Sequence, residues 1–99
     1  MLTQDFFRGF IKLHILHHAA KEPVYGVWII EELDRHGYKL SPGTLYPILH
    51  SLEEEQLLTA RSKTVEGKIR KYYEITDEGK KRLKESKMKV KELVDELYE

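Results

Sequence analysis

The chain has 99 residues, of which 40% are hydrophobic, enough for one small domain whose modest core gains from a partner subunit. With no cysteine there is no disulfide framework or thiolate chemistry; no apolar run approaches the ~20 residues needed to span a bilayer, and no basic, signal-type leader opens the chain, so a cytoplasmic protein is expected. Seventeen basic and seventeen acidic residues cancel, yet the charge is sorted: residues 61–71 hold Arg61, Lys63, Lys68, Arg70 and Lys71 against Glu66 alone, whereas residues 92–99 carry four acids and no base.

The first helical stretch is expected from Asp5 to Ala20. Phe6, Phe10, Leu13 and Ala20 fall on one face, but Phe7, Ile11, Ile15 and Ala19 fall on the others. A helix that is apolar all round needs more cover than one small domain supplies, which points to a dimer with Phe6 and Phe10 in its interface. The same stretch carries an HxxHH cluster, His14, His17 and His18. His14 and His18 at i, i+4 have zinc-binding spacing, but no glutamate follows in the HExxH pattern and the third ligand would have to come from elsewhere. Packed or solvent-facing histidines are therefore the expectation, with no metal or other cofactor assigned.

Pro23 breaks the pattern, and a second helix is expected from about Val24 to His36, with Gly26, Ile29, Ile30 and Leu33 on one side and Gly37 as its left-handed cap. Trp28 falls opposite Ile29 and Leu33. It either covers the surface beneath the hairpin or final helix, or lines an effector pocket between subunits.

A third helix is expected from Pro42 to about Glu55. Ser41 suits the N-cap, its hydroxyl taking a free backbone N–H, and Pro42 at the first helical position lacks an N–H that had no partner. Leu45, Ile48, Leu49 and Leu52 recur at helical spacing, while Gly43, Pro47, His50 and Glu54 occupy the opposite face with Tyr46 and Ser51 on its flanks. Pro47 is the anomaly, because an interior proline costs on the order of 3 kcal/mol. Two helices joined by a short turn containing glycine, the second with a polar outer face, form a helix-turn-helix candidate.

Beyond Leu57-Leu58 the period changes to two. Leu58, Ala60 and Ser62 alternate outward and Ile69, Lys71, Tyr73 and Ile75 alternate back, with Val65 to Lys68 as turn material, so a β-hairpin is expected. A basic hairpin directly after a helix-turn-helix reads as a wing: the helix enters the major groove and the hairpin lies along neighbouring phosphates. From Thr76 a last helix begins, with Asp77 and Glu78 in its first turn, where the helix dipole favours acids. Leu83, Val90 and Leu97 fall at heptad spacing with Leu93 and Val94 between them, a seam suited to a second helix. The plainer alternative is a helix packed on its own domain. No serine, histidine and acid grouping and no phosphate-cradling glycine loop stands out, so an enzyme is not expected.

These residues closely resemble the PadR family of bacterial transcriptional regulators, in its small form with a single C-terminal helix. The resemblance rests on Tyr25-Gly26, on LSPGTLYPILHSLEEEQLL from Leu40 to Leu58, and on GKIRKYYEITDEG from Gly67 to Gly79, and covers nearly the whole chain. It implies a mainly α fold with a β-hairpin: a winged helix-turn-helix with N- and C-terminal dimerisation helices, divided as residues 1–75 for DNA binding and 76–99 for dimerisation. It further implies a homodimeric repressor on a pseudo-palindromic operator, released by a small molecule or other signal. The DNA-facing residues would be Lys39, Ser41, Gly43, Thr44, Tyr46, Pro47 and His50 around the third helix, and Lys63, Lys68, Arg70 and Lys71 on the wing. Pro47 would then present a rigid apolar surface to a thymine methyl or sugar while Tyr46 donates its hydroxyl to a phosphate; otherwise Ser41 and Pro42 hold the helix start and Pro47 is merely tolerated. Two departures stand out. Gln56 replaces the usual glycine at the end of the third helix, where a left-handed cap costs about 1 kcal/mol, and Lys68 replaces the wing arginine, losing the bidentate fork. A winged helix used for protein interaction is the alternative.

Overall fold

The computed structural model describes residues 2–99, with the backbone alone of Leu2. Its elements in order are α1 (Leu2–Ala19), β1 (Val24–Tyr25), α2 (Gly26–Arg35), α3 (Pro42–Glu54), β2 (Leu58–Val65), β3 (Lys68–Ile75) and α4 (Asp77–Leu97). Ile11, Ile15 and Leu16 of α1, Ile29 and Leu33 of α2, Leu45, Ile48, Leu49 and Leu52 of α3, Leu58 of β2 and Tyr73 of β3 close one core. The all-round apolar character of α1 is thus used on one side by this core, whereas Phe6 remains 65% exposed.

The second helix starts later than its periodicity suggests. Val24 and Tyr25 are a short strand, paired antiparallel with Tyr73 and Tyr72 of β3, so the hairpin is part of a three-stranded sheet in the order β1-β3-β2. A β-branched residue and a tyrosine directly after Pro23 fit a pleated surface better than the first turn of a helix. The hairpin register puts Leu58 opposite Ile75 and Ala60 opposite Tyr73, and ends with Val65 opposite Lys68. Only Glu66 and Gly67 form the turn, with φ of 51° and 76°. Two positive φ values are the signature of a type I′ turn, whose twist matches that of the strands.

Helices α2 and α3 end alike. After α2, Gly37 takes φ 87°, its N–H donates to the Asp34 carbonyl at 3.0 Å, and the Tyr38 N–H reaches back to Leu33 at 2.9 Å. After α3, Gln56 takes φ 62°, with Gln56 N–H to Glu53 and Leu57 N–H to Leu52 both at 2.9 Å. Both are Schellman closures. The second places a glutamine where glycine is free of strain, so the helix keeps the left-handed cap and bears its cost of about 1 kcal/mol.

Thr76 joins the sheet to α4. Its hydroxyl accepts the Gly79 N–H at 2.9 Å as the N-cap and donates to the Gln56 carbonyl at 2.7 Å, while the Thr76 N–H donates to the Leu57 carbonyl at 3.1 Å. A Cβ added at Gly79 would collide with the Leu57 carbonyl oxygen, so the start of α4 lies directly on the connection between α3 and β2. Leu83, one of the expected seam residues, is 8% exposed and belongs to the core of its own chain. The first turns of α4 are therefore packed on the winged-helix body, and beyond Leu83 the large apolar residues Met88, Val90, Leu93, Val94 and Leu97 are exposed.

Candidate nucleic-acid interface

Helix α3 buries Leu45, Ile48, Leu49 and Leu52 and turns the opposite face outward. Lys39, Ser41, Gly43, Thr44, Tyr46, Pro47 and His50 are all exposed. Pro47 sits inside an unbroken helix, on the outside, where its ring meets solvent rather than core. Ser41 is at the N-cap position but does not cap in the expected way. Its hydroxyl makes no bond to a backbone N–H of the first turn and lies instead 3.3 Å from the Thr44 hydroxyl. The start of α3 is therefore closed by Pro42, which has no N–H, and by the Ser41 carbonyl, which accepts from Thr44 and Leu45 at 3.0 Å, so that in the first turn the Gly43 N–H stays available to an anion.

Tyr46 is anchored at its far end. A Cβ on Gly26 would fall onto the Tyr46 hydroxyl, and at 2.8 Å from Cζ, so the absence of a side chain at Gly26 is what lets the ring lie across the first turn of α2. That contact joins two motifs separated in the sequence, Tyr25-Gly26 and the run containing Tyr46. No side chain caps α2 either, so its positive end also lies open beside Tyr46.

The wing completes this surface. Arg70 stacks on the Tyr25 ring at 4.0 Å and reaches the Tyr72 hydroxyl at 3.4 Å, which holds its guanidinium in one place. Lys71 spans from the sheet to α3, 3.5 Å from Glu53 and 5.5 Å from the Tyr73 ring centre. The Tyr73 hydroxyl first, and then Glu53, push its ammonium pKa up. Lys63 pairs across the strands with Arg70, and Lys68 follows the turn; among the described residues neither has an acidic partner. Arg61, by contrast, is engaged by Glu74 on the neighbouring strand. Between α2, α3 and the wing lies a groove lined by Tyr25, Val27, Tyr46, Lys68, Ile69 and Arg70. Sequence reading misses Tyr25 and Val27, whose only signal is the Tyr25-Gly26 motif, because the helical pattern runs on through β1.

The apolar positions expected at a dimer interface divide. Phe6 stacks on Phe10 at 5.5 Å, and the two rings line a cleft of about 740 Å³ between α1 and α4 together with Leu13, Leu16, Leu57 and Val90. Val90, Leu93, Val94 and Leu97 are exposed along α4, Leu97 at 67%. Trp28 is half-buried and packs edge-on against His18 of α1, with ring centres 5.3 Å apart. Its cover is thus α1 rather than the hairpin or α4, and it is not among the residues lining the large cleft.

The model of the transcriptional regulator PadR-like family matches residues 15–85. The transcriptional regulator Rv3488 of Mycobacterium tuberculosis is 46% identical over 94 residues, which are 95% of this chain and 88% of that protein. The solved structure of a PadR-like transcription factor from Bacteroides fragilis superposes with a TM-score of 0.86 at 31% identity, covering 97% of this chain and 94% of that one. A PadR-like transcriptional regulator from Bacillus cereus gives 0.81 at 33% identity, covering 96% and 97%. All three of these relatives are named as transcription factors or transcriptional regulators, and the two solved structures share the fold. The chain belongs to the PadR-like family of transcriptional regulators.

Proposed function

We propose that the chain is a cytoplasmic repressor that binds a pseudo-palindromic operator in duplex DNA as a homodimer and leaves it in response to a small molecule. The observation that carries the reading is the outer face of α3, exposed from Ser41 to His50, next to a wing whose Arg70 and Lys71 are held in position by Tyr25, Tyr72 and Glu53. Lys39, Lys63, Lys68, Arg70 and Lys71 supply charge to phosphates, and the open first turns of α2 and α3 add backbone N–H donors. Gly43, Thr44, Pro47 and His50 face the base edges. Tyr46, anchored over Gly26, offers its ring to the backbone sugar and phosphate.

Dimerisation is supported by the exposed Val90, Leu93, Val94 and Leu97 on α4 and by the apolar cleft beside Phe6 and Phe10, which suits a helix from a second copy. An aromatic-lined space of that size at a subunit boundary also suits a small apolar effector, and it replaces Trp28 as the place to look for one.

Selection of bound fragments from a random duplex pool tests the reading. Enriched fragments should contain two inverted half-sites whose centres are about 34 Å, one helical turn, or a multiple of that apart. Enrichment of single, unpaired sites would remove the dimeric arrangement, and no enrichment at all would favour a protein-interaction role for the winged helix.

A further inference from the structure

Four of the five histidines, His14, His17, His18 and His36, lie near one another although His36 is far from the others in sequence. The HxxHH pattern alone offers no third ligand. Folding brings two more groups, Glu32 and His36, against His18. Glu32 Oε2 lies 3.6 Å from His18 Nε2 and 3.0 Å from His36 Nε2, and one ligand atom from each of the three residues falls within 4.8 Å of the others. The second carboxylate oxygen, Oε1, is taken by the Arg35 guanidinium at 3.0 Å, which fixes the carboxylate plane and leaves Oε2 to the two imidazoles.

We infer that His18, Glu32 and His36 form a binding site for a divalent transition metal of the zinc class. Zinc bonds of about 2.0–2.1 Å to nitrogen and oxygen place tetrahedral ligand atoms about 3.3–3.5 Å apart, and the two separations to Glu32 bracket that value. Two imidazoles and one carboxylate are a donor set zinc accepts, and the Arg35 contact orients the carboxylate as outer groups do in metal sites. The Glu32 side chain is 12% exposed and that of His36 48%, so the site has a rigid floor and a ligand at the rim that can swing to close the remaining distance to His18. The His14 ring lies nearby, its centre 5.6 Å from that of His36 and 6.4 Å from that of His18. Burial pushes the His18 imidazole pKa down, which favours the neutral ligating form. The residues come from α1 and from α2 with its C-cap, so a bound ion ties the core helix to the end of α2, where the turn toward α3 begins. This site does not depend on the DNA-binding reading.

Trp28 packs edge-on against His18 and is the single tryptophan, so its emission reports on the site. Zinc chloride titrated into the full chain in metal-free buffer, followed by Trp28 emission and by equilibrium dialysis, should saturate at one ion per chain. Cobalt(II) in its place should give the strong visible absorption of a tetrahedral site. Glu32→Gln keeps the side-chain shape and His36 is at an exposed helix end, so Glu32→Gln and His36→Ala should both retain the fold, checked by urea unfolding without metal. Each should weaken zinc binding at least tenfold, whereas His17→Ala, outside the trio, should change it less than threefold. Absence of saturable binding would overturn the site. So would unchanged affinity in Glu32→Gln and His36→Ala, including the case in which only His14→Ala and His17→Ala weaken binding, since the HxxHH segment alone would then hold the ion.

Discussion

Two residues carry more of the structure than their size suggests. Gly26 is needed because the Tyr46 hydroxyl occupies the space of its missing side chain. Gly26→Ala should force the Tyr46 ring away and lower stability by about 1–3 kcal/mol, as overpacking does, and adding Tyr46→Ala should return most of that loss in a double-mutant cycle measured by urea unfolding. A Gly26→Ala protein as stable as the parent would mean that Tyr46 does not rest there. Gln56 is the converse case, a side chain in a left-handed cap with φ 62°. Gln56→Gly should raise stability by about 1 kcal/mol without altering DNA affinity, and an unchanged unfolding midpoint would show that the strain is relieved in solution.

At the scale of elements, α4 is joined to the winged-helix body through Thr76 and Gly79. Thr76→Val keeps the branched shape but removes the cap to Gly79 and the bond to the Gln56 carbonyl, and should lower stability by about 0.5–2 kcal/mol. Thr76→Ser should restore it; equal destabilisation in both variants would point to packing instead of the hydroxyl. The elements also show how far a sequence alone can be read. Hydrophobic periodicity finds α3 because it has one buried face and one wet face, so composition follows geometry; in the hairpin the alternation is matched by burial only near the base, at Leu58 and Tyr73, while Ile69 is 79% exposed. β1 escapes because two residues carry no period, and the partner that makes Val24-Tyr25 a strand lies almost fifty residues away in β3. Leu83 joins the seam on spacing alone, yet α4 changes partner along its length, from its own core to open surface, and a heptad count does not register that change. The exposed face of α3 is legible as a site, whereas Tyr25, Glu32 and His36 acquire their roles only through neighbours brought to them by folding.

At the scale of the whole molecule, Val90, Leu93, Val94 and Leu97 of α4 stay exposed among the described residues. Val90→Asp with Leu97→Asp should therefore abolish a dimer seen by sedimentation at micromolar concentration, with the winged-helix body still folded because Leu83 is untouched. A variant of unchanged mass would move the interface away from α4. The proposed function rests on the contact of α3 and the wing with DNA. It is tested most directly by the salt dependence of binding to a fixed duplex, compared between the parent and the Lys68→Ala, Arg70→Ala double variant. The parent should bind less tightly, and steeply so, as salt rises; the variant should bind more weakly with a slope reduced by about one unit for each phosphate it no longer neutralises. If both proteins stay folded and give the same affinity and the same slope, the wing does not lie on the DNA and the proposed interface is wrong.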